Sequence, residues 1–279
     1  MAMQLRLIKT FSASLLLLCM GGNVYGQNDD LNQLWELSLS GIDKLATNNR
    51  GDIFVTDNQG YLFQYDSKGS LINQLATSLS APVTNLDAYN TVNVFLFSSA
   101  LQRFEFLDRF LNPISKLSID ASISSGWVSQ ACPGNNNSLW LYDESALNLI
   151  KFSLINNELL QAQALNTLIQ QNDLKVILLT ERNNMLFLQI AEDGLYIFDN
   201  QANFIEKISL TTENRSVVEG DYVYVIQDDQ LIKINYLTKK SQSFAIPKNK
   251  NFKKISLSSL QLCLANEKIL AVYKRPENF

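Results

Sequence analysis

The side chains that carry most enzyme chemistry are sparse in this sequence of 279 residues, and one type is missing entirely. The chain contains no histidine. That absence excludes Ser-His-Asp and Cys-His catalysis, metal sites with histidine ligands, and histidine as a general base near neutral pH. Carboxylate and amide chemistry remains, and calcium is the ion that Asp, Asn and Glu side chains hold best.

Asp and Asn cluster at three places, namely residues 27–30 (QNDD), 56–60 (TDNQG) and 227–230 (QDDQ). None of these runs has the D-x-D-x-D-G spacing of a calcium loop. The second and third clusters fall between strand-like runs, where turns favour Asp and Asn because these side chains cap their own backbone. We therefore predict hairpin turns at both places, no metal-binding residues and no cofactor, with calcium as the one ion that the composition leaves open.

The first 26 residues have the pattern of a signal peptide. Two basic residues precede an apolar run, Phe11 to Met20, which is too short to span a bilayer, and Gly26 ends a segment that a signal peptidase could cleave. We expect an exported domain of residues 27–279, in the periplasm or outside the cell. Lipidation of Cys19 is the alternative, although Leu18 stands where a small residue is preferred.

The charge of the chain argues against nucleic acid as a partner. The formal net charge is −4, from 23 basic and 27 acidic residues, and it becomes −6 when the two basic residues of the signal peptide are removed. Proteins that bind DNA or RNA rely on clustered Lys and Arg to displace counterions from phosphate. We expect no nucleic-acid partner and no part of the mature chain integral to the membrane.

A repeated strand pattern organises the mature chain. The strand DIFVTD, from Asp52, recurs in apolar, aromatic-rich form from Asn93, Ser138, Met185, Tyr222 and Gln261, at steps of 41, 45, 47, 37 and 39 residues. Each copy is followed by a second strand, and most copies by a third, more polar one. Repeats of this length, built from short antiparallel strands, are typical of β-propeller blades.

The sixth copy lacks its outer strand, and the N-terminus supplies a spare one. Residues Leu34 to Ser40 (LWELSLS) precede the first complete unit, so we predict that they pair with the sixth blade near Ile269 to Lys274. The fold class is then all-β, a six-bladed β-propeller closed by an N-terminal clasp strand, which leaves no open end to the array. The stretch NNELLQAQALNTLIQQND, from Asn156, predicts either a short helix or a long loop between blades three and four.

Two cysteines, Cys132 and Cys263, remain in the mature chain. Both lie in strand-like stretches with no base nearby, which is typical of inert packing residues. They belong to blades three and six, on opposite sides of a six-bladed ring, whereas a disulfide needs Cα atoms within about 7 Å. We predict two free thiols.

The first repeat carries a family resemblance. Residues 48–75, NNRGDIFVTDNQGYLFQYDSKGSLINQL, resemble the NHL-type repeat of six-bladed propellers, and residues 192–208, EDGLYIFDNQANFIEKI, match it in part. The resemblance covers the mature chain as architecture and suggests a secreted or periplasmic bacterial member. It implies no particular activity, because propellers host enzymes, receptors and scaffolds.

These observations predict a non-catalytic exported propeller that binds another protein, such as an accessory subunit of an outer-membrane or secretion assembly. The alternatives are a calcium-dependent, lactonase-like hydrolase and a binder of carbohydrate or another small ligand at the channel mouth. The predicted binding face lies where the innermost strands start, beside a lysine-rich loop, PKNKNFKK, that would steer an acidic partner or simply aid solubility. Its residues are Trp127, Lys175, Arg215, Lys250, Phe252, Lys253 and Lys254, with Trp127 and Phe252 as aromatic anchors.

Overall fold

Six antiparallel sheets of four strands each make up the computed structural model, which describes residues 31–77, 79–169, 174–277 and 279. The predicted signal peptide, with its cleavage site and the alternative at Cys19, lies outside the described residues. No helix in the described part of the chain has the length and apolar character that crossing a bilayer demands.

The strands follow one another around the ring with a single exception at the N-terminus. Strand β1 is Gln33–Ser38. Blade one is formed by β2 (Ile42–Thr47), β3 (Ile53–Asp57), β4 (Tyr61–Tyr65) and β5 (Leu71–Ala76); blade two by β6 (Asn85–Asp87), β7 (Asn93–Ser98), β8 (Arg103–Asp108) and β9 (Pro113–Ser118); and blade three by β10 (Val128–Gly134), β11 (Ser138–Asp143), β12 (Asn148–Ser153) and β13 (Glu158–Ala164).

The second half of the ring is built in the same way. Blade four is formed by β14 (Val176–Arg182), β15 (Met185–Ile190), β16 (Gly194–Asp199) and β17 (Phe204–Ser209); blade five by β18 (Val217–Glu219), β19 (Tyr222–Gln227), β20 (Gln230–Asn235) and β21 (Ser241–Ala245); and blade six by β22 (Lys254–Leu257), β23 (Gln261–Ala265), β24 (Ile269–Lys274) and β1. One turn of 3₁₀ helix, Lys248–Lys250, precedes β22.

The predicted clasp is confirmed. Strand β1 pairs antiparallel with β24, from Gln33 opposite Tyr273 to Ser38 opposite Ile269. The indole of Trp35 reaches into blade one, where its Nε1 donates a hydrogen bond to the Ser67 carbonyl over 3.0 Å. The N-terminal strand therefore completes blade six and also ties it to blade one.

The core is divided among the six interfaces between neighbouring blades. One cluster joins blades one and two through Phe54, Leu62, Leu86 and Leu96, and five similar clusters fill the other interfaces. The second strand of a blade has sheet neighbours on both sides and a blade against each face, so β11 is buried along its whole length. This explains why the second strands are the most apolar segments of the repeat.

Both Asp clusters that were predicted as turns are turns. Asp57 accepts hydrogen bonds from the backbone N–H groups of Gln59 and Tyr61, at 2.9 and 2.8 Å, between β3 and β4. Asp228 and Asp229 adopt positive φ values of 50° and 57° between β19 and β20, as the tightest hairpins require. The Asp57 carboxylate serves the backbone of its turn.

The stretch after Asn156, predicted as either a short helix or a long loop, instead forms the outer strand β13 over residues Glu158–Ala164. The strand contains a β-bulge: Gln161 faces Lys151 and Leu159 faces Phe152, which leaves Leu160 as an extra residue. A bulge breaks the period-two alternation by placing neighbouring apolar residues on one side. That irregular spacing imitates a helical pattern in the sequence.

The same bulge recurs at the start of the outer strand in five of the six blades. Each bulge leaves one residue without a partner across the ladder, and every such residue is a branched aliphatic about half exposed to solvent. These residues, from here on the apolar rim, are Leu34, Ile72, Ile114, Leu160 and Ile205. Blade five has no bulge, and its outer strand begins with Ser241 and Gln242.

Cys132 in β10 and Cys263 in β23 are both buried and free, as predicted. Burial raises the pKa of both thiols far above the ordinary value, so neither forms a thiolate near neutral pH. We expect titration of the mature protein at pH 8 to find two thiols per chain after denaturation without reductant, and almost none in the native state. A denatured, unreduced protein with no titratable thiol would contradict this placement of blades three and six.

Candidate functional site

A central channel runs through the ring and holds a cavity of about 600 Å³. Its wall contains residues from the first, innermost strand of every blade, including Lys44, Asn85, Gln130, Thr180 and Ser256. Because these strands are neighbours only through closure of the ring, the channel brings together side chains that are far apart in sequence. A cavity of this size lies within the usual range for small-molecule sites.

The channel carries more positive than negative charge, although the chain as a whole is acidic. Six basic and four acidic side chains line the cavity. The basic ones are Lys44, Lys175, Arg182, Arg215, Lys253 and Lys254, and the acidic ones are Asp43, Asp87, Glu213 and Glu219. The cavity therefore favours anions over cations.

Three carboxylates of the channel are paired with a basic side chain of the same wall. Asp43 contacts Lys44 at 2.7 Å, and Glu213 contacts Lys175 at 2.7 Å at the exposed mouth. Arg182 donates to Asp87 over 2.9 Å, across the cavity from blade four to blade two. These contacts neutralise three of the six basic groups.

The fourth carboxylate, Glu219, is paired with an arginine that follows β24. Arg275 donates from Nη1 and Nη2 to the two carboxylate oxygens of Glu219 over 2.9 and 2.5 Å, and from Nη1 to the Ser258 carbonyl over 2.8 Å. This two-pronged pair raises the pKa of Arg275 in spite of its partial burial. It joins blades five and six beside the channel.

Arg215 is a basic group of the inner channel whose charge has no such partner. Its Nη2 donates to Oδ1 of Asn85 over 3.2 Å, and Asn85 in turn donates to the Ala131 carbonyl over 2.6 Å. Among the described residues, no carboxylate lies within ion-pair distance, 4.0 Å, of its guanidinium. Burial lowers the pKa of Arg215 to about 10, with Asp87 opposing that shift, so the group is still charged at neutral pH.

Lys254 is a second basic residue of the channel wall that has no ion pair within the described chain. Burial lowers its pKa as well. Nearby wall residues add polar atoms that the described protein leaves without partners. Oγ1 of Thr180, Oγ of Ser216 and Oε1 of Gln130 are buried and make no hydrogen bond there. These oxygens have almost no surface open to the cavity, so what the channel offers a ligand is its unpaired positive charge.

The structure brings four of the seven predicted face residues together. Lys175, Arg215, Lys253 and Lys254 line the channel. Trp127 lies just before β10 and is half exposed, but it is not part of the cavity wall. Whether any of these residues contacts a partner stays a prediction.

Two of the seven residues do not fit the predicted role. Phe252 is only 2% exposed and packs with Tyr224 and Ile255 between blades five and six, so it cannot be a surface anchor. Lys250 forms an ion pair with Glu36 and donates to Gln33 over 3.0 Å, so it fastens the loop to the clasp strand instead of facing the channel mouth. Its replacement by Glu would disturb ring closure.

Sequence reasoning missed Asp87 and Arg182, which meet across the channel although 95 positions separate them. Arg182 also lies over the ring of Tyr89, 4.3 Å from its centre. The sequence offers one indication of this pair: Asp87 is the last residue of strand β6, and Arg182 is the last residue of strand β14, so both lie at the same end of an innermost strand. Pairing between blades depends on the ring and cannot be read from either segment alone.

The fold and the channel define the class of this protein, a six-bladed β-propeller closed by its N-terminal strand around a charged channel. No protein-family profile matches the sequence, and no curated protein matches it. Solved structures do match at the level of the fold. A streptogramin B lyase superposes with a TM-score of 0.62 at 11% identity, over 86% of this chain and 97% of the lyase.

Two further solved structures give the same result. A catalytically inactive, histidine-to-alanine variant of virginiamycin B lyase from Staphylococcus aureus, with quinupristin, has a TM-score of 0.61 at 10% identity, over 86% of this chain and 99% of that chain. The Pan2 WD40 domain of Neurospora crassa has a TM-score of 0.61 at 9% identity, over 90% and 98%. At such identities the similarity establishes the fold alone.

Proposed function

We propose that this protein is a non-catalytic, NHL-like β-propeller that binds another protein after export, as an accessory subunit of an outer-membrane or secretion assembly. The observation that carries the proposal is the apolar rim. Export is supported by the signal-peptide pattern of the first 26 residues.

The apolar rim suits a docking surface because it repeats at one place in successive blades. Blades six, one, two, three and four each place a half-exposed Leu or Ile at the start of the outer strand. Only blade five, with Ser241 and Gln242, interrupts the series. Single apolar residues are ordinary on protein surfaces, but the recurrence of one at the same position in five blades gives a ring of equivalent apolar contact points.

The rim lies at the edge opposite the face predicted from the lysine-rich loop. Strands alternate in direction within a blade, so the outer strand starts at the face where the innermost strand ends. The predicted face, where innermost strands start, holds the exposed residues Tyr61, Leu101, Leu117 and Leu168 near its own edge. The two faces can therefore be tested against each other.

Two observations favour a binding role over catalysis. The matching virginiamycin B lyase variant that lacks one histidine is described as catalytically inactive, and this chain has no histidine at all. The excess of positive charge in the channel also disfavours a calcium-dependent hydrolase, because calcium needs several free carboxylates and carbonyls. The four channel carboxylates are already bound to Lys or Arg.

The proposal predicts that the rim is needed for capture of a partner. A variant with Ile72, Ile114, Leu160 and Ile205 changed to Thr should lose at least about tenfold in crosslinked partner, since each change removes roughly 1 kcal/mol of apolar burial. Threonine is β-branched, a shape that strands favour. The measurement is mild crosslinking in cells that export the tagged protein, followed by mass spectrometry of the captured species.

The matched control changes Tyr61, Leu101, Leu117 and Leu168 to Thr at the opposite edge. It should capture the same species as the unaltered protein, and both variants should melt cooperatively. Equal capture by the rim variant and the unaltered protein would exclude the rim. Loss of capture in the control alone would assign docking to the opposite face.

A further inference from the structure

The positive charge of Arg215 has no counter-ion among the described residues of the protein. Arg215 is only partly buried, but a partly desolvated charge is still costly unless a counter-charge and hydrogen bonds satisfy it. The guanidinium has five N–H donors, and within the described chain it makes one hydrogen bond, to Oδ1 of Asn85 over 3.2 Å. Several donors of a charged, planar group therefore point into a cavity of about 600 Å³.

The two nearest carboxylates are not free to serve as the counter-ion. Asp87 favours the charge of Arg215 from a distance, but it accepts the direct hydrogen bond of Arg182 at 2.9 Å. Asp43 is likewise engaged by Lys44 at 2.7 Å. An additional anion would complete the charge balance of the channel, which has two more basic than acidic groups.

The surrounding wall supplies a further contact that an oxyanion can use. Lys254 adds a second positive charge without an ion pair within the described chain. A guanidinium recognises carboxylate and phosphate through two parallel hydrogen bonds.

We propose that the central channel is a binding site for a small oxyanion, a carboxylate or a phosphate ester, held by Arg215 with support from Lys254. The ligand is a small molecule because the site lies inside the channel and its volume suits one. This inference goes beyond protein binding and does not rest on the apolar rim.

Thermal melting with and without added anions tests the site. The probes are inorganic phosphate and succinate, each compared with sodium chloride at equal ionic strength. A ligand that binds only the folded state raises the melting temperature with the logarithm of its concentration. Phosphate and similar salts also stabilise proteins through exclusion from the surface, so the informative quantity is the difference between the unaltered protein and Arg215→Gln.

We expect Arg215→Gln to weaken the anion effect at least tenfold in apparent affinity, and Lys254→Gln to weaken it less. Without anion, Arg215→Gln should melt at the same or a higher temperature, because it removes a charge without a counter-ion. A residue with a merely structural role would show the opposite. The matched control is Lys175→Gln, which removes the same charge from the cavity wall at the exposed mouth and should leave the anion effect unchanged.

Each outcome is decisive. A response to phosphate alone indicates a phosphate ester as the ligand, a response to succinate alone indicates a carboxylate, and a response to both supports the shared oxyanion site. If neither probe stabilises the unaltered protein more than Arg215→Gln, the proposal is wrong. An equal loss of response in Lys175→Gln would also overturn it, since that result would reflect overall charge.

Discussion

A chain that begins at Ser40 is expected to lose cooperative unfolding and to aggregate. It lacks β1, so β24 would present a full row of unpaired N–H and C=O groups, and such an edge promotes association with other chains. It also loses the ladder from Gln33 to Ser38 and the apolar contacts of Trp35 and Leu37 with the cluster between blades six and one. Far fewer contacts would then hold blades six and one together.

Trp35 explains why this loss should exceed that of an ordinary outer strand. Its Nε1 donates to the Ser67 carbonyl of blade one, and its ring packs so close to Gly69 that an added Cβ there would lie 3.1 Å from the indole. Glu36 on the same strand pairs with Lys250 from the loop between blades five and six. The clasp strand therefore contacts both blade one and the loop that leads into blade six.

The control is a chain that begins at Leu31 and so keeps the whole clasp strand. It should melt in one transition at the temperature of the mature protein, as followed by circular dichroism and calorimetry. The chain from Ser40 should give a broad transition with no matching heat absorption, and soluble aggregates in size-exclusion chromatography. A sharp transition at the same temperature as the control would show that the clasp is dispensable.

The architecture could be predicted from the sequence because it depends on local signals repeated six times. The strand from Asp52 and its five later copies are each recognisable without reference to the others, and the spare strand at Leu34 has only one vacant place in the ring. Turn chemistry is equally local, which is why the turn at 56–60 was correctly predicted. These features need no knowledge of how blades pack together.

The channel could not be predicted in the same way, because its chemistry arises between blades. Arg215 and Asn85 lie 130 positions apart and meet only in the closed ring. Phe252 was assigned to the surface because it sits among lysines, yet packing between blades five and six buries it. Burial across an interface overrides the polarity of neighbouring residues in the sequence.

Gly60, in the turn between β3 and β4, is expected to tolerate no side chain. Its φ is +87°, which L-residues rarely adopt, and an added Cβ would lie 2.6 Å from the backbone oxygen of Ala81. The carbonyl of Gly60 also accepts hydrogen bonds from Oγ1 and N of Thr77, at 2.6 and 3.3 Å, so the turn cannot shift freely. Gly60→Ala must move two segments of backbone that contact each other.

Gly220 provides the matched control, since it also has a positive φ, +55°, but no atom within 4 Å of an added Cβ. Gly220→Ala should cost only the conformational penalty, about 1 kcal/mol. Gly60→Ala adds overpacking to a larger backbone strain, so we expect about 3–5 kcal/mol in all. In a domain of this size each kcal/mol corresponds to about 2–4 °C in melting temperature, so Gly60→Ala should melt about 10 °C lower.

The measurement is urea unfolding of both variants beside the mature protein, with calorimetry for the melting temperature. Because the two substitutions are chemically identical, the difference in unfolding free energy between them reports the contact with Ala81 together with the larger backbone strain at Gly60. Equal destabilisation by Gly60→Ala and Gly220→Ala would mean that the loop containing Ala81 can shift away from the new methyl group without lowering the free energy of unfolding. The larger loss at Gly60 would instead show that the connection from blade one to blade two is held rigidly against the turn it crosses.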